Sequence, residues 1–216
     1  MSEMNVKDQS FLAANPAKFN VNAWHYYQND WGNEGGWMFY VFMLIVPAIL
    51  TGILGYFFVW AWILMLLVLL FAWRVHSRNR QHFREGNVCP GKVVSVSPDL
   101  VAVSTDLAHD SKHSYPIIEV ISCNFRLWSG DPVQIGDRVA VVTSYDLGLD
   151  DEQVEGRFKG VMAANPVPMA TTDGQVIQRT LASIPIEGWE SLEHGLSLVP
   201  RPIQPGTYSY TEASHG

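Results

Sequence analysis

The residues that could carry chemistry fall mainly in two loops. His109 and His113 stand four apart around Asp110, Ser111 and Lys112. On a helix that spacing would place both imidazoles on one face, within reach of a shared metal. The segment lies between strand-like runs, lacks the glutamate of the zinc-protease pattern and sets Lys112 beside a would-be ligand. It therefore reads as a solvated polar loop before it reads as a metal site. Asp146, Asp150 and Asp151, with Glu152 and Glu155, gather around Gly148 and Gly156. A hard cation such as calcium takes several carboxylates from a flexible loop, but this spacing departs from the helix–loop–helix calcium pattern. A solvated face or a protein-docking face explains the cluster as well. Cys89 or Cys123 could pair with His109 or His113 for nucleophilic catalysis, yet neither cysteine sits in a recognisable active-site context. The chain has no nucleophile elbow, phosphate-cradling loop or dinucleotide fingerprint. These residues assign no catalytic group and no cofactor.

The element that must position everything else is the apolar run at residues 37–73, from Trp37 to Trp73, which contains no charged side chain, His, Asn or Gln. As one helix it would reach about 55 Å, against a hydrocarbon core of about 30 Å. Two shorter helices turning at Thr51-Gly52-Ile53-Leu54-Gly55 fit better, with spans at residues 37–53 and 55–73. Arg74, Arg78, Arg80 and Arg84 follow the second span directly. Basic residues at span ends favour the cytoplasmic side. The expectation is a multi-pass inner-membrane protein with both termini cytoplasmic. Ahead of the run, Trp24, Tyr26, Tyr27, Trp31 and Trp37 have the amphipathic rings that favour a membrane–water boundary, and Trp73 with the four arginines would mark the other end of the interface. No ionisable group lies within the spans, which counts against a proton or ion path.

Charge is uneven. Residues 85–216 hold 17 acidic and 8 basic side chains, a balance of −9. That sign argues against nucleic-acid binding, which needs cations to neutralise phosphates. Two cysteines in a cytoplasmic domain read as buried thiols rather than a disulfide, and the first 36 residues lack the apolar core of a cleavable signal peptide.

Beyond the arginines, Gly86-Asn87 stops the helix and strand signals follow in series. They lie at residues 92–97 and 100–104, separated by Pro98-Asp99, then at 116–123, at 138–145 and at 158–163. Helical spacing returns at 173–183 and 187–196, and residues 200–216 read as an extended, mobile tail. The predicted fold class is a membrane α-hairpin of two transmembrane helices plus a mainly-β cytoplasmic domain, a small barrel or sandwich, with short C-terminal helices. The predicted divisions are a tail and interfacial segment at 1–36, the hairpin at 37–73, a basic helix extension at 74–85, the β-rich domain at 86–199 and the tail at 200–216.

This order of parts resembles a group of uncharacterised bacterial membrane-anchored proteins. The turn Val133-Gln134-Ile135-Gly136-Asp137-Arg138-Val139-Ala140-Val141 is similar to the Ile-Gly-Asp turn of many small β-barrels, NfeD-type accessory domains among them. The resemblance implies a partner-binding accessory protein. Taken together, the expected function is a non-catalytic membrane-anchored accessory or scaffold that presents an acidic β-domain for self-association or partner binding. Its expected partners are membrane lipid and either further copies of itself or the other subunits of a larger membrane complex, with no nucleic acid. The alternatives are a membrane-bound metal-dependent hydrolase using the His109/His113 loop or the Asp146–Glu155 cluster, and a lipid or small-molecule sensor.

Overall fold

The computed structural model describes residues 17–22, 25–26, 45–55, 59–108, 114–125, 132–146 and 160–210. Two helices come first, α1 (Val46–Gly55) and α2 (Val59–Glu85). Strands β1 (Asn87–Val96), β2 (Asp99–Asp106), β3 (Pro116–Ser122), β4 (Arg138–Asp146) and β5 (Gly160–Pro166) follow. The short α3 (Val167–Ala170), then α4 (Gly174–Ala182), α5 (Ile186–Leu198) and β6 (Gly206–Ser209) complete the chain.

The strands form one sheet in the order β5-β4-β1-β2-β3-β6, and every pairing is antiparallel. Three consecutive strands, with the fourth returned beside the first, make a Greek key. The sheet curls into a partly open half-barrel rather than a closed barrel or a sandwich. Both of its faces are buried, which is why the strands read as unbroken β-branched runs. One face takes Val88, Leu100, Ala102, Ile118 and Val142 against Trp189 and Leu192 of α5, together with Phe83 of α2. The other lies inside the curl and gathers Cys89, Val93, Val101, Val103, Val139 and Val141. Alternation along β2 (Leu100 to one face, Val101 to the other, Ala102 back again) follows the two-residue strand period.

Local chemistry sets the boundaries. The Asp173 carboxylate accepts from the main-chain N–H groups of Gln175 and Val176 and starts α4. Gln134 N–H donates to the Asp137 carboxylate at 2.7 Å, and Gly136 takes a φ of 99° between them to turn the chain into β4. Pro90 carries no N–H. The β1–β4 ladder runs past it, from Asn87 to Lys92, whereas the β1–β2 ladder starts only at Gly91↔Val103. The two strands therefore splay below Gly91.

Several expectations are corrected here. Among the described residues no helix is long and apolar enough to cross a membrane. The physical reason is length. Helix α1 has 10 residues, about 15 Å, and the uncharged part of α2, residues 59–73, gives about 22 Å before Arg74, against a hydrocarbon core of about 30 Å. The fold class of a two-span transmembrane hairpin is therefore overturned, and with it the multi-pass inner-membrane assignment with both termini cytoplasmic. The C-terminal tail also differs. Residues 206–209 pair with β3 as strand β6, and the Tyr210 hydroxyl reaches Ser191 of α5 at 2.9 Å.

The N-terminal tail is anchored as well. Phe19 and Tyr26 are buried against Phe83, with ring centroids 5.6 and 5.2 Å away. Ala17 N–H donates to the Gly86 carbonyl and Asn22 N–H to that of Ala170. The segment straps the end of α2 to the sheet.

Candidate functional site

The first candidate is the surface of the helix pair. Met65, Val68 and Ala72 of α2 are half-buried, and at 100° per residue they share one stripe. Helix α1 packs along α2. Round the remainder of α2 stand Leu69, Trp73, Leu66, Leu70, Leu67 and Phe71, all more than half exposed. In that order they cover about 200° of the helix circumference. Helix α1 adds Ile49, Leu50 and Ile53, also exposed. A helix that is apolar on every side belongs in an interior, and a bare surface of this extent marks an interaction site.

The second candidate is a thiol–hydroxyl cluster inside the curled sheet. Cys89 of β1, Thr105 of β2, and Thr143 and Tyr145 of β4 share that face. The Cys89 thiol donates to Thr105 Oγ1 at 3.4 Å and lies 3.2 Å from Thr143 Oγ1. The Tyr145 hydroxyl joins Thr105 Oγ1, accepts from Thr143 Oγ1 at 3.3 Å and from Asn87 Nδ2 at 3.4 Å. Burial pushes the Cys89 thiol pKa up, against the smaller downward pull of the Thr105, Thr143 and Tyr145 hydroxyls. Burial and then the neighbouring Cys89 raise Tyr145 to about 12. Burial and then Asp99 raise Cys123 to about 12. Nucleophilic sulfur must be thiolate, so both thiols are poised as inert core groups. The cluster's hydroxyls satisfy one another, which is what a buried polar network needs to hold strands together.

Two clefts open on the surface. One of about 410 Å³ lies between β1, the turn before β4 and the end of α5, with Val94, Ile135, Leu196 and Ile203 on its walls. Lys92 Nζ bridges its rim to both Glu193 oxygens, at 2.6 and 2.8 Å. The other, about 250 Å³, follows the splay of β1 from β2 and is lined by Cys89, Pro90, Ser104, Thr105 and Pro185 among others. Arg138, the first residue of β4, stacks over Trp189, its Cζ 4.7 Å from the ring centroid.

The residues singled out in the sequence do not converge. His109, His113, Asp150 and Asp151 lie outside the described residues, as do Trp24, Tyr27, Trp31 and Trp37. Asp146 ends β4, and the acidic residues that follow it, from Asp150 to Glu155, lie outside the described residues. Among the described residues no group of three or more His, Cys, Asp or Glu side chains could hold a metal ion. Tyr26 is only 5% exposed and packs edge-on to Phe83 instead of facing an interface. Trp73, Arg74, Arg80 and Arg84 are exposed along α2, and Arg78 lies on the same helix. Sequence reasoning missed Thr105, Thr143 and Tyr145. The one available signal was parity, since Thr143 and Tyr145 alternate in step with Val139 and Val141 and so point into the curl.

No curated protein is significantly similar to this chain. A solved structure from Corynebacterium diphtheriae, described as "a putative membrane protein", is similar at 19% identity and a TM-score of 0.46, over 57% of this chain and all of that one. The model of a family described as "Protein of unknown function (DUF3239)" matches residues 74–199, from the charged half of α2 through the last turn of the helical layer. The chain belongs to the DUF3239 family.

Proposed function

We propose that this chain is a non-catalytic accessory or scaffold subunit, held by its helix pair inside an assembly of several copies. The observation that carries the reading is the surface of α2, apolar on every side with about 200° of it uncovered by α1. Burying one exposed Leu or Phe stabilises by roughly 1.5–3 kcal/mol, so the six of them on the two helices, with exposed Ile and Trp beside them, supply ample drive for association. One flat partner covers one stripe, which favours several neighbours around each α2 over a simple pair. Closed symmetric rings provide that arrangement. The inert, hydrogen-bonded thiols suit a structural sheet, and the Ile135-Gly136-Asp137 turn is in keeping with the accessory domains whose sequence it resembles. An anionic lipid surface is the competing occupant, because Arg74, Arg80 and Arg84 follow the apolar part of α2 directly.

The test is the mass and composition of the full chain, extracted gently at native expression level, by native mass spectrometry with lipid analysis. A homomeric particle of several copies, broken by Leu66→Glu or Leu70→Glu while the sheet stays folded, supports the proposal. A single copy clothed in lipid hands the surface to lipid. A monomer free of lipid and protein partners overturns the reading altogether.

A further inference from the structure

The junction of α2 with the sheet contains a histidine that neither the assembly surface nor the thiol cluster uses. His82 lies one turn before the end of α2. Its Nε2 is 3.2 Å from the side-chain amide nitrogen of Asn165 on β5. An amide nitrogen only donates, so Nε2 accepts and the ring proton of the neutral imidazole sits on Nδ1. That Nδ1 is buried, and the Val142 main-chain carbonyl beside it is its one weak acceptor, short of full hydrogen-bonding geometry. The ring stands edge-on to Phe83 at 4.9 Å, and Phe83 is the same ring on which Phe19 and Tyr26 rest. The His82 carbonyl accepts from Gly86 N–H, and the Gly86 carbonyl accepts from Ala17 N–H. One side chain thus touches the helix end, β5 and the support of the N-terminal strap.

We propose that this junction is an acid-released latch, in which protonation of His82 undocks the end of α2 and the strap from β4 and β5. A second ring proton turns Nε2 from acceptor into donor, facing the Asn165 donor, and places a full charge where the ring has no counter-charge. The groups around it offer no relief. On its own helix Arg84 and Glu85 are exposed, Glu85 is held by Gln81 at 2.7 Å, and Arg78 lies one turn earlier. Strand β4 presents Val142 and Ser144 and β5 presents Asn165, none of which titrates. The strap presents Ala17, Phe19 and Tyr26, with Lys18 exposed and His25 turned to the Pro168 carbonyl.

Burial holds the His82 pKa down, from 6.5 to about 4, with the Val142 main chain pulling weakly the other way. A docked pKa below the free one means that docking is fully supported above pH about 6.5. It weakens as pH falls from there to about 4, by up to about 300-fold. The latch is independent of what occupies the apolar helices and would stand if the scaffold reading failed.

The experiment is hydrogen exchange of the full chain between pH 7 and pH 4, corrected for intrinsic rates, read on peptides covering residues 17–26 and 80–86. Protection there should fall by tens to hundreds of fold while β1–β4 stay protected. His82→Gln, which cannot take up the proton, should flatten that response. Asn165→Asp supplies an acceptor and a counter-charge, and should move the release to lower pH. Equal protection of the strap at pH 7 and pH 4 in the unaltered chain would overturn the proposal. So would release of Asn165→Asp at the unaltered pH, which decides the matter even if His82→Gln fails to dock.

Discussion

Gly86 lies where α2, β4 and the strap meet, and replacing it with alanine gives the sharpest test of that packing. A methyl group at Gly86 would sit 2.5 Å from the His82 carbonyl oxygen, 2.5 Å from Val142 Cγ1 and 2.9 Å from the Thr143 carbonyl oxygen. Two of these atoms are main chain, and they belong to different elements. The clash is relieved only by moving the helix end away from the strand. Overpacking of a fitted core costs about 1–3 kcal/mol, and with two backbone oxygens in the way the upper end, about 3 kcal/mol, is expected. Gly195→Ala is the natural control. Its new methyl would meet Ile118 Cδ1 and Tyr210 Cε1, each at 2.7 Å, and Ile118 Cγ1 at 2.8 Å, which are side-chain atoms and yield at less cost than main chain. Gly195 also lies inside α5, where alanine gains about 1 kcal/mol in helix propensity. The net cost there should be about 1 kcal/mol. Urea unfolding of the full chain at fixed concentration separates the two. With a slope of about 2 kcal/mol/M, Gly86→Ala should lower the midpoint by about 1.5 M and Gly195→Ala by about 0.5 M. The reasoning is refuted if Gly86→Ala lies within 0.2 M of the unaltered chain, or unfolds later than Gly195→Ala.

Other outcomes follow from the same packing. Leu192→Ala empties a fully buried site between α5 and the sheet and should cost about 3 kcal/mol, read by the same unfolding curves. Cys89 is 3% exposed with a raised pKa. A small thiol reagent at pH 8 should therefore leave it unlabelled until denaturant is added, and labelling at the rate of a free thiol would show that the curl is open. Tyr145→Phe removes the hydroxyl shared by Asn87, Thr105 and Thr143 and should cost about 1–3 kcal/mol by leaving buried partners unmet. Glu193→Gln breaks the Lys92 pair, which is partly exposed at 26% and 48%, and should change stability by less than about 0.5 kcal/mol.

What the sequence made legible was local. The β-branched runs around Val93, Val101, Ile118 and Val141 all fall in strands because pairing and burial on both faces select those residues, while the turn between the first two strands falls on Ser97-Pro98, one residue before the expected Pro98-Asp99, with Asp99 already paired to Val96. Gly86 follows the end of α2 as a helix stop. What was not legible depends on contacts far apart in the chain. Tyr26 looks like an interfacial aromatic and Phe19 like part of a polar tail because the ring that covers both, Phe83, is about sixty residues away. His82 reads as one more member of a basic cluster, and only the arrival of β5 makes it a buried neutral ring. Strand β6 has four residues after Pro205 and no β-branched run, so nothing local distinguishes it from a tail. The spanning hairpin rests on total apolar length, which does not say how that length is divided between helices.

The strap has a kinetic consequence. His25 bonds to the carbonyl of Pro168, 143 positions further along, and Asn22 to that of Ala170. A chain synthesised from its N-terminus presents the strap first, yet the surface that receives it forms only after β5 and α3 have emerged. Contacts of such sequence separation slow folding, since the loop between them must close before they are rewarded. During that interval the apolar faces of α1 and α2 are already outside the ribosome while the sheet is unfinished. This is the stage at which a nascent chain aggregates unless something holds it.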